Sequence, residues 1–459
     1  MTHVTRDSRQ AGAGAVFVAV VGASVDGHDF VPETTADVVV IEREVAVPAG
    51  ATSVRVSSTK EALAILAANL HGRPAEAMRV VGVTGTNGKT TISTLLEEAL
   101  LSAGLSAGRI GTTGHRVNGV ERPSDFTTPE APALQALLGE MRDAEVAVLA
   151  MEVSSIGLAQ HRVDGIPFHL AVFTNLTRDH LDFHGDMKRY ARAKSRLFTE
   201  LLRPPGGAPR ALLCGDDPNW ERMEPPEDRW LYGSGSHCDI RIDDVDVSRT
   251  GTRMVVHTPA GVGTLESSLI GRHNAENLAG ALGACLALGM SLETSVVALS
   301  QVRGVPGRLE VVASEDLLVV VDYAHSDDAL RHAISTVREL VDGELWVVFG
   351  CGGDRDQTKR PIMGRAVQEG SDHAIVTSDN PRHESPRAII DDVLVGMIDG
   401  RPPVVEVDRR RAIHRAIAQA RPGDGVLIAG KGHEQYQQIG SVKQPFDDRQ
   451  VAAEALELR

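Results

Sequence analysis

The 459-residue chain exceeds one typical domain and has room for about two or three hydrophobic cores. Its 62 acidic against 47 basic side chains give a formal charge of -15, with no cluster of Lys and Arg able to track a phosphate backbone, which excludes nucleic acid as a partner. A hydrophobic fraction of 42% with 24% charged residues describes a soluble globular protein. No apolar run approaches the roughly 18 residues needed to cross a bilayer, so membrane insertion is not expected.

The first 70 or so residues carry strand patterns at Val16 to Val20, Asp37 to Ile41 and Ser53 to Val56, then a helical pattern from Thr59 to Leu70. They read as a small α/β domain, closed by the breaker His71-Gly72-Arg73-Pro74, with a boundary at residue 76.

A strand at Met78 to Val83 then runs into Gly82-Val83-Thr84-Gly85-Thr86-Asn87-Gly88-Lys89-Thr90-Thr91. An amphipathic helix with Ile92, Leu95, Leu96, Ala99 and Leu100 at helical spacing follows and ends near Gly104. Glycines at a helix N-terminus let backbone N–H groups approach phosphate oxygens. Lys89 adds a mobile charge, and Thr90 a hydroxyl for Mg²⁺. The Gly-x-x-Gly-Lys-Thr spacing is shorter than the general phosphate-loop pattern but makes ATP chemistry the leading expectation.

Apolar strands at Val146 to Met151, Leu170 to Thr174 and Ala211 to Cys214 alternate with helical segments, which predicts a mostly parallel sheet covered on both faces. Arg203 to Pro209 reads as an exposed loop. A second break, Val305-Pro306-Gly307-Arg308, precedes five strand patterns: Leu317 to Asp322, Leu345 to Phe349, Ala374 to Ser378, Val404 to Val407 and Val426 to Ala429. Helical patterns such as Ala329 to Leu340 separate them, as in a Rossmann-like domain. The expected fold is therefore α/β in three domains: 1–76 small α/β, 77–306 central phosphate-loop ATPase, and 307–459 C-terminal Rossmann-like. Four cysteines (Cys214, Cys238, Cys285, Cys351) lack metal-ligand or redox spacing and suit buried fillers in a reducing cytoplasm.

Acidic residues at strand ends in such a sheet face the ligand crevice, so Glu152 is placed to hold Mg²⁺ or to cap the next helix. His180, in Thr174-Asn175-Leu176-Thr177-Arg178-Asp179-His180, is a second metal ligand or a hydrogen-bonded structural histidine. By composition alone Lys194 reads as an exposed helical lysine. Gly350 to Asp356, Thr377 to Arg382 and Gly430 to Glu434 all follow parallel strands of the third domain and should share one edge. There Arg382 and Arg355 could fork onto a carboxylate, while Asp379 and Glu434 could meet an ammonium, a pattern that suits a zwitterionic amino acid or a set of surface ion pairs.

Taken in order, Thr84 to Thr91, Asp125-Phe126-Thr127-Thr128-Pro129, Glu152-Val153-Ser154-Ser155, Thr174 to Gly185, Gly271-Arg272-His273-Asn274 with Asn277, Gly307-Arg308, Val321 to His325, Asp379 to Arg382 and Gly430 to Glu434 resemble the Mur ligase family, in its diaminopimelate-adding branch. The resemblance covers nearly the whole chain. It implies a UDP-sugar-binding first domain, an ATP-binding middle domain and an amino-acid-binding third domain that closes onto the reaction centre. It also implies ATP-dependent amide bond formation through an acyl phosphate, adding meso-diaminopimelate to UDP-N-acetylmuramoyl-L-alanyl-D-glutamate for peptidoglycan. By this resemblance Gly85, Thr86, Asn87, Gly88, Lys89, Thr90 and Thr91 hold the phosphates, and Asn277, Arg308 and Asp322 lie near the adenosine. Thr90, Glu152 and His180 serve magnesium, and Lys194, carbamylated by carbon dioxide, supplies a further carboxylate to it. Lys89, Glu152, His180 and Lys194 form the catalytic set. Ser8, Thr127, Thr128, Ser154, Gln160 and Arg162 contact the nucleotide-sugar peptide. Arg355, Asp379, Asn380, Arg382, Gly430 and Glu434 form the diaminopimelate site, with Arg382 pairing the distal carboxylate that lysine lacks. The partners are small-molecule substrates, and the expected form is a cytoplasmic monomer.

The chain departs from the family pattern where Ser154-Ser155-Ile156 replaces Ser-Ser-His and where Tyr323-Ala324-His325 continues as Ser326-Asp327-Asp328. It also begins almost directly at Asp7-Ser8-Arg9. The alternative reading is the same ligase chemistry on a different carboxylate acceptor, in specialised metabolism.

Overall fold

The computed structural model describes all residues except 23–24, 123, 125, 204–208, 313–315 and 399. Asp125 and most of the Arg203 to Pro209 loop therefore lie outside the described residues. The chain gathers into two compact units: Met1–Asp243 with Val255–Leu265 and Glu276–Val302, and Arg303–Arg459 with Asp244–Met254 and Glu266–Ala275.

The first unit opens with four parallel strands in chain order, His3–Thr5, Ala15–Val18, Val38–Ile41 and Thr52–Arg55. Alternation sorts their side chains: Phe17, Val39 and Ile41 pack with Val31, while Val16, Val18 and Val40 pack with Leu63 of the helix Thr59–Leu70. Ser58 caps that helix by accepting from the Glu61 N–H at 3.3 Å.

Within the larger, eleven-stranded sheet, Arg229–Gly233, Ala211–Cys214, Leu170–Phe173, Arg79–Thr84, Val148–Glu152 and Ala107–Gly111 run in parallel, followed by Gly114–Val117 and Val120–Arg122 antiparallel. Val80, Leu149, Met151, Ala171, Phe173 and Leu213 turn one face toward helices Ala131–Asp143 and Met187–Thr199. The Val148–Glu152 strand lies later in the chain than the expected Val146 to Met151, so Glu152 itself ends the strand. The helix Lys89–Ser102 starts directly after Gly88.

In the second unit, Glu310–Val311 pairs antiparallel with Leu318–Asp322. Gly425–Ala429, Leu345–Phe349, His373–Val376 and Val404–Val405 then continue the sheet in parallel. Leu318 and Val320 face helix Asp327–Glu339 through Leu330, Ile334 and Val337; Val319 and Val321 face Ile413, Ile417 and Val451 on the opposite side. This is the doubly wound arrangement expected, and it lines up the carboxyl ends of its parallel strands as a ligand edge. A hairpin absent from the sequence reading, Tyr436–Ile439 with Val442–Pro445, follows the last of them. All four cysteines are free thiols in buried positions.

Candidate active site

The phosphate loop is shaped by contacts that only glycine allows. Gly88 has φ +85°, and a Cβ there would lie 2.6 Å from Asn277 Oδ1; a Cβ on Gly85 would stand 1.8 Å from Thr174 Oγ1. The loop is tied to the neighbouring strand exit, since Asn87 N donates to Asn175 Oδ1 at 2.9 Å and Thr177 N to Thr86 Oγ1 at 3.0 Å. Lys89 Nζ folds back to donate to the carbonyls of Gly85 (2.9 Å) and Thr86 (2.7 Å). Thr91 is buried in the first turn of the helix.

Glu152 is fully buried and accepts from Thr90 Oγ1 (3.0 Å), Thr112 N (2.9 Å) and Thr112 Oγ1 (3.0 Å). It does not cap the following helix; Ser154 does, accepting from Gly157 N at 3.0 Å. A hydroxyl and a carboxylate converging at 3.0 Å form the hard oxygen pair that suits Mg²⁺ shared with phosphates.

Lys194 overturns the exposed-lysine expectation. It lies on the inner face of helix Met187–Thr199 with 1% exposure, and its Nζ donates to the Gly85 carbonyl at 2.7 Å. Burial, reinforced by the charge of Lys89, drives its pKa well below the usual lysine range and favours the neutral amine. His180, at φ +52°, is half-exposed beside Asp179 at 3.4 Å; burial, with Lys89 and Lys194, lowers its pKa against the pull of Asp179. An imidazole kept neutral fits a metal ligand.

The residues expected at the nucleotide-sugar peptide adjoin Glu152. Thr128 Oγ1 donates to the Glu152 carbonyl and accepts from Ser154 N, both at 3.0 Å, and Thr127 Oγ1 meets Thr112 Oγ1 at 2.9 Å. Arg162 donates to Thr128 O and Gln160 Oε1, each at 2.8 Å, and pairs with Glu130 at 2.6 Å. Ser8 opens a short turn after the first strand that Asp7 caps, and Arg6 just before it pairs at 3.2 Å with Glu130, the carboxylate that also pairs with Arg162.

Asn277 belongs to the first unit, whereas Arg308 and Asp322 belong to the second. There the Arg308 guanidinium lies 4.8 Å from the Tyr323 ring centroid, and Asp322 accepts from Leu309 N and Ala324 N, each at 2.8 Å. Burial raises the Asp322 pKa against the opposing effect of Arg308.

The residues expected at the amino acid come from three strand exits. Asn380 Nδ2 donates to Glu434 Oε2 at 2.7 Å, and a Cβ on Gly430 would come within 2.7 Å of Asp379 Oδ2. Arg382 has φ +49° and donates through Nη1 to Gly353 O at 2.6 Å. Arg355 is exposed on the neighbouring loop.

Sequence reasoning passed over three members of these clusters. Thr112 leaves a short strand with no motif around it. Tyr190 is 1% exposed, lies one helical turn before Lys194, bonds Thr86 Oγ1 at 3.1 Å and places its ring centroid 4.5 Å from Lys194 Nζ. Its i, i+4 spacing to Lys194 was the available signal. The buried His184 meets Ser155 Oγ at 3.0 Å.

Family descriptions match the chain in order: Mur ligase family, catalytic domain, over residues 1–71; Mur ligase middle domain over 83–285; and Mur ligase, glutamate ligase domain, over 307–432. The UDP-N-acetylmuramoyl-L-alanyl-D-glutamate:2,6-diaminopimelate ligase of Gloeobacter violaceus is 46% identical, over 99% of this chain and 94% of its own length. The chain belongs to the Mur ligase family. The Mur ligase of the same name from Lactiplantibacillus plantarum is 42% identical over 100% of this chain and 94% of its own. A solved structure of a ligase with that name superposes with a TM-score of 0.72 at 35% identity, covering 100% of this chain and 95% of that one. The Thermotoga maritima MurF ligase in complex with ADP shares the fold at a TM-score of 0.63 and 21% identity, over 99% and 96% of the two chains. The three-domain α/β architecture expected from the sequence is the Mur ligase architecture.

Proposed function

We infer that this protein is an ATP-dependent ligase that adds meso-diaminopimelate to UDP-N-acetylmuramoyl-L-alanyl-D-glutamate in peptidoglycan precursor synthesis. The observation that carries this reading is full-length identity of 46% to a ligase named for that reaction. The D-glutamyl carboxylate attacks the γ-phosphorus of ATP, the bond to ADP breaks, and an acyl phosphate forms. The amine of diaminopimelate then attacks the acyl carbon and forms the C–N bond, the acyl C–O bond breaks so that phosphate leaves with the bridging oxygen and its electron pair, and the surplus amine proton passes to solvent.

Gly85 to Thr91 hold the phosphates through backbone N–H groups, and Lys89 exchanges its two loop carbonyls for phosphate oxygens. Magnesium, when bound, offsets the repulsion between carboxylate and phosphate. Thr90, Glu152 and His180 would hold it, joined by Lys194, whose neutral amine is the form that would add carbon dioxide and release a proton to become a carbamate. Asn277, Arg308 and Asp322 hold the adenosine. Ser8, Thr127, Thr128, Ser154, Gln160 and Arg162 orient the nucleotide-sugar peptide. Arg355, Asp379, Asn380, Arg382, Gly430 and Glu434 receive the amino acid, with Arg382 on its distal carboxylate. The domains run 1–76, 77–306 and 307–459, and the protein acts as a cytoplasmic monomer. Among the described residues no helix is long and apolar enough to cross a membrane.

The test is phosphate release from ATP with the muramoyl dipeptide and meso-diaminopimelate, lysine or no amine, with the product identified by mass. Tripeptide from diaminopimelate alone is the expected result. An enzyme that binds ATP but makes no product with any amine would sink the assignment of the acceptor, and Ile156 would then direct the search to other carboxylates.

A further inference from the structure

The amino-acid edge contains a buried lysine to which the reading above gives no role. Lys431 follows the strand Gly425–Ala429 and is 0% exposed. Its ammonium donates to Asn380 Oδ1 at 3.2 Å and to Glu434 Oε2 at 3.1 Å, with the Tyr436 ring centroid 5.6 Å away. Asn380 closes the triangle, because its Nδ2 donates to the same Glu434 oxygen at 2.7 Å while its Oδ1 also accepts from Gln438 N at 2.8 Å. Two interior donors thus occupy Oε2. Among the described residues no further side-chain donor reaches Glu434, whose side chain keeps 18% of its surface exposed.

We propose that Lys431 is a positioning residue for the incoming amino acid, locking Glu434 and Asn380 into one unit so that the second carboxylate oxygen of Glu434 is aimed at the substrate ammonium. The proposal rests on the amine site assigned above. A buried lysine is costly unless it is paired and hydrogen-bonded, and here both bonds go to residues of that site. Lys431 has two opposed effects: its charge weakens the pull of Glu434 on a cation, while its bonds remove the freedom that an incoming amine would otherwise have to freeze out. The second effect governs, because Lys431 also anchors Asn380, two residues from the arginine assigned to the distal carboxylate.

The test is a double-mutant cycle of Lys431→Met with Glu434→Gln, read as KM for meso-diaminopimelate, KM for ATP and kcat, and by calorimetric titration of meso-diaminopimelate. Lys431→Met should raise KM for the amine at least about tenfold, change KM for ATP less than about twofold and lower kcat less than about threefold. In the Glu434→Gln background its effect should shrink to under about threefold, the remainder passing through the bond to Asn380. An unchanged or lowered amine KM, a parallel rise in ATP KM, or an undiminished effect in the Glu434→Gln background would overturn the proposal. Should Lys431→Met fail to fold by near-ultraviolet circular dichroism, Lys431→Gln, which keeps a donor without the charge, carries the same cycle. A wild-type protein that neither uses nor binds meso-diaminopimelate overturns the amine-site reading and this proposal together. Normal ligation with an insensitive Lys431→Met overturns this proposal alone.

Discussion

Glu276 stands one position before Asn277 in helix Arg272–Ala287, with its carboxyl pushed up to about 7 by burial and by the charges of Asp216 and Asp217. The folded protein therefore binds this proton more tightly than the unfolded chain does. The stability it contributes is fully present below about pH 4.5 and is lost as the pH rises through about 7. Glu276→Gln removes the charge and keeps the shape, so it should stabilise the protein by about 1–2 kcal/mol at pH 8 and barely at all at pH 5. Thermal scans at the two pH values check this, and a gap independent of pH would refute it. Arg382 tests recognition at the same scale. Arg382→Ala should raise KM for meso-diaminopimelate roughly 10- to 100-fold, the worth of a charge-assisted pair, while leaving use of lysine little changed. Competition between the two amines measures the loss of selectivity.

At the scale of elements, the phosphate loop shows how one backbone position governs a binding site. Gly88→Ala must accommodate a side chain at φ +85° and a Cβ 2.6 Å from Asn277 Oδ1. The expected result is about 1–2 kcal/mol of lost stability and at least tenfold weaker nucleotide binding, measurable by unfolding and by titration with ATP. The conformation of this loop was legible because its glycines, lysine and threonines carry the local signal themselves. The core strands were legible for a similar reason, since Leu345–Phe349 and Gly425–Ala429 are buried along their whole length and read as apolar runs. Ile240–Ser248, with four charged side chains, and the polar hairpin Tyr436–Ile439 with Val442–Pro445 carry no such signal. Yet Gln438 O accepts from Arg382 N at 3.1 Å and Gly440 N donates to Arg382 O at 2.7 Å, so this hairpin holds the arginine in its left-handed conformation. The residues proposed for the amino-acid edge carry a signal in the sequence; the element that orients Arg382 does not, because its bonds are backbone bonds between distant segments. Lys194 was misread by composition for a related reason, since its burial comes from which helix face meets the loop.

For the whole molecule, continuity in sequence and compactness in space diverge. Ile270 is fully buried in the same core as Leu309, Leu330 and Val347, although it precedes the continuous Arg303–Arg459 part of the second unit by many residues. Arg249 donates to Leu340 O at 2.7 Å and Gly423 O at 3.4 Å. A fragment of residues 307–459 should therefore melt at a lower temperature and less cooperatively than the same segment within the full chain, since it loses a core side chain worth about 2–5 kcal/mol. Calorimetry of fragment and full chain decides this, and equal, equally sharp transitions would show that Ile270 and Arg249 matter little to it. The hidden thiols supply a complementary clock. Burial pushes Cys214, Cys285 and Cys351 up to about 12 and Cys238 to about 11, so a thiol reagent meets neither an exposed sulfur nor a thiolate while the fold is closed. Cys214, Cys238 and Cys285 belong to the first unit and Cys351 to the second. The stoichiometry and order of labelling under mild denaturant thus time-stamp the opening of each unit separately, with no dye or engineered probe.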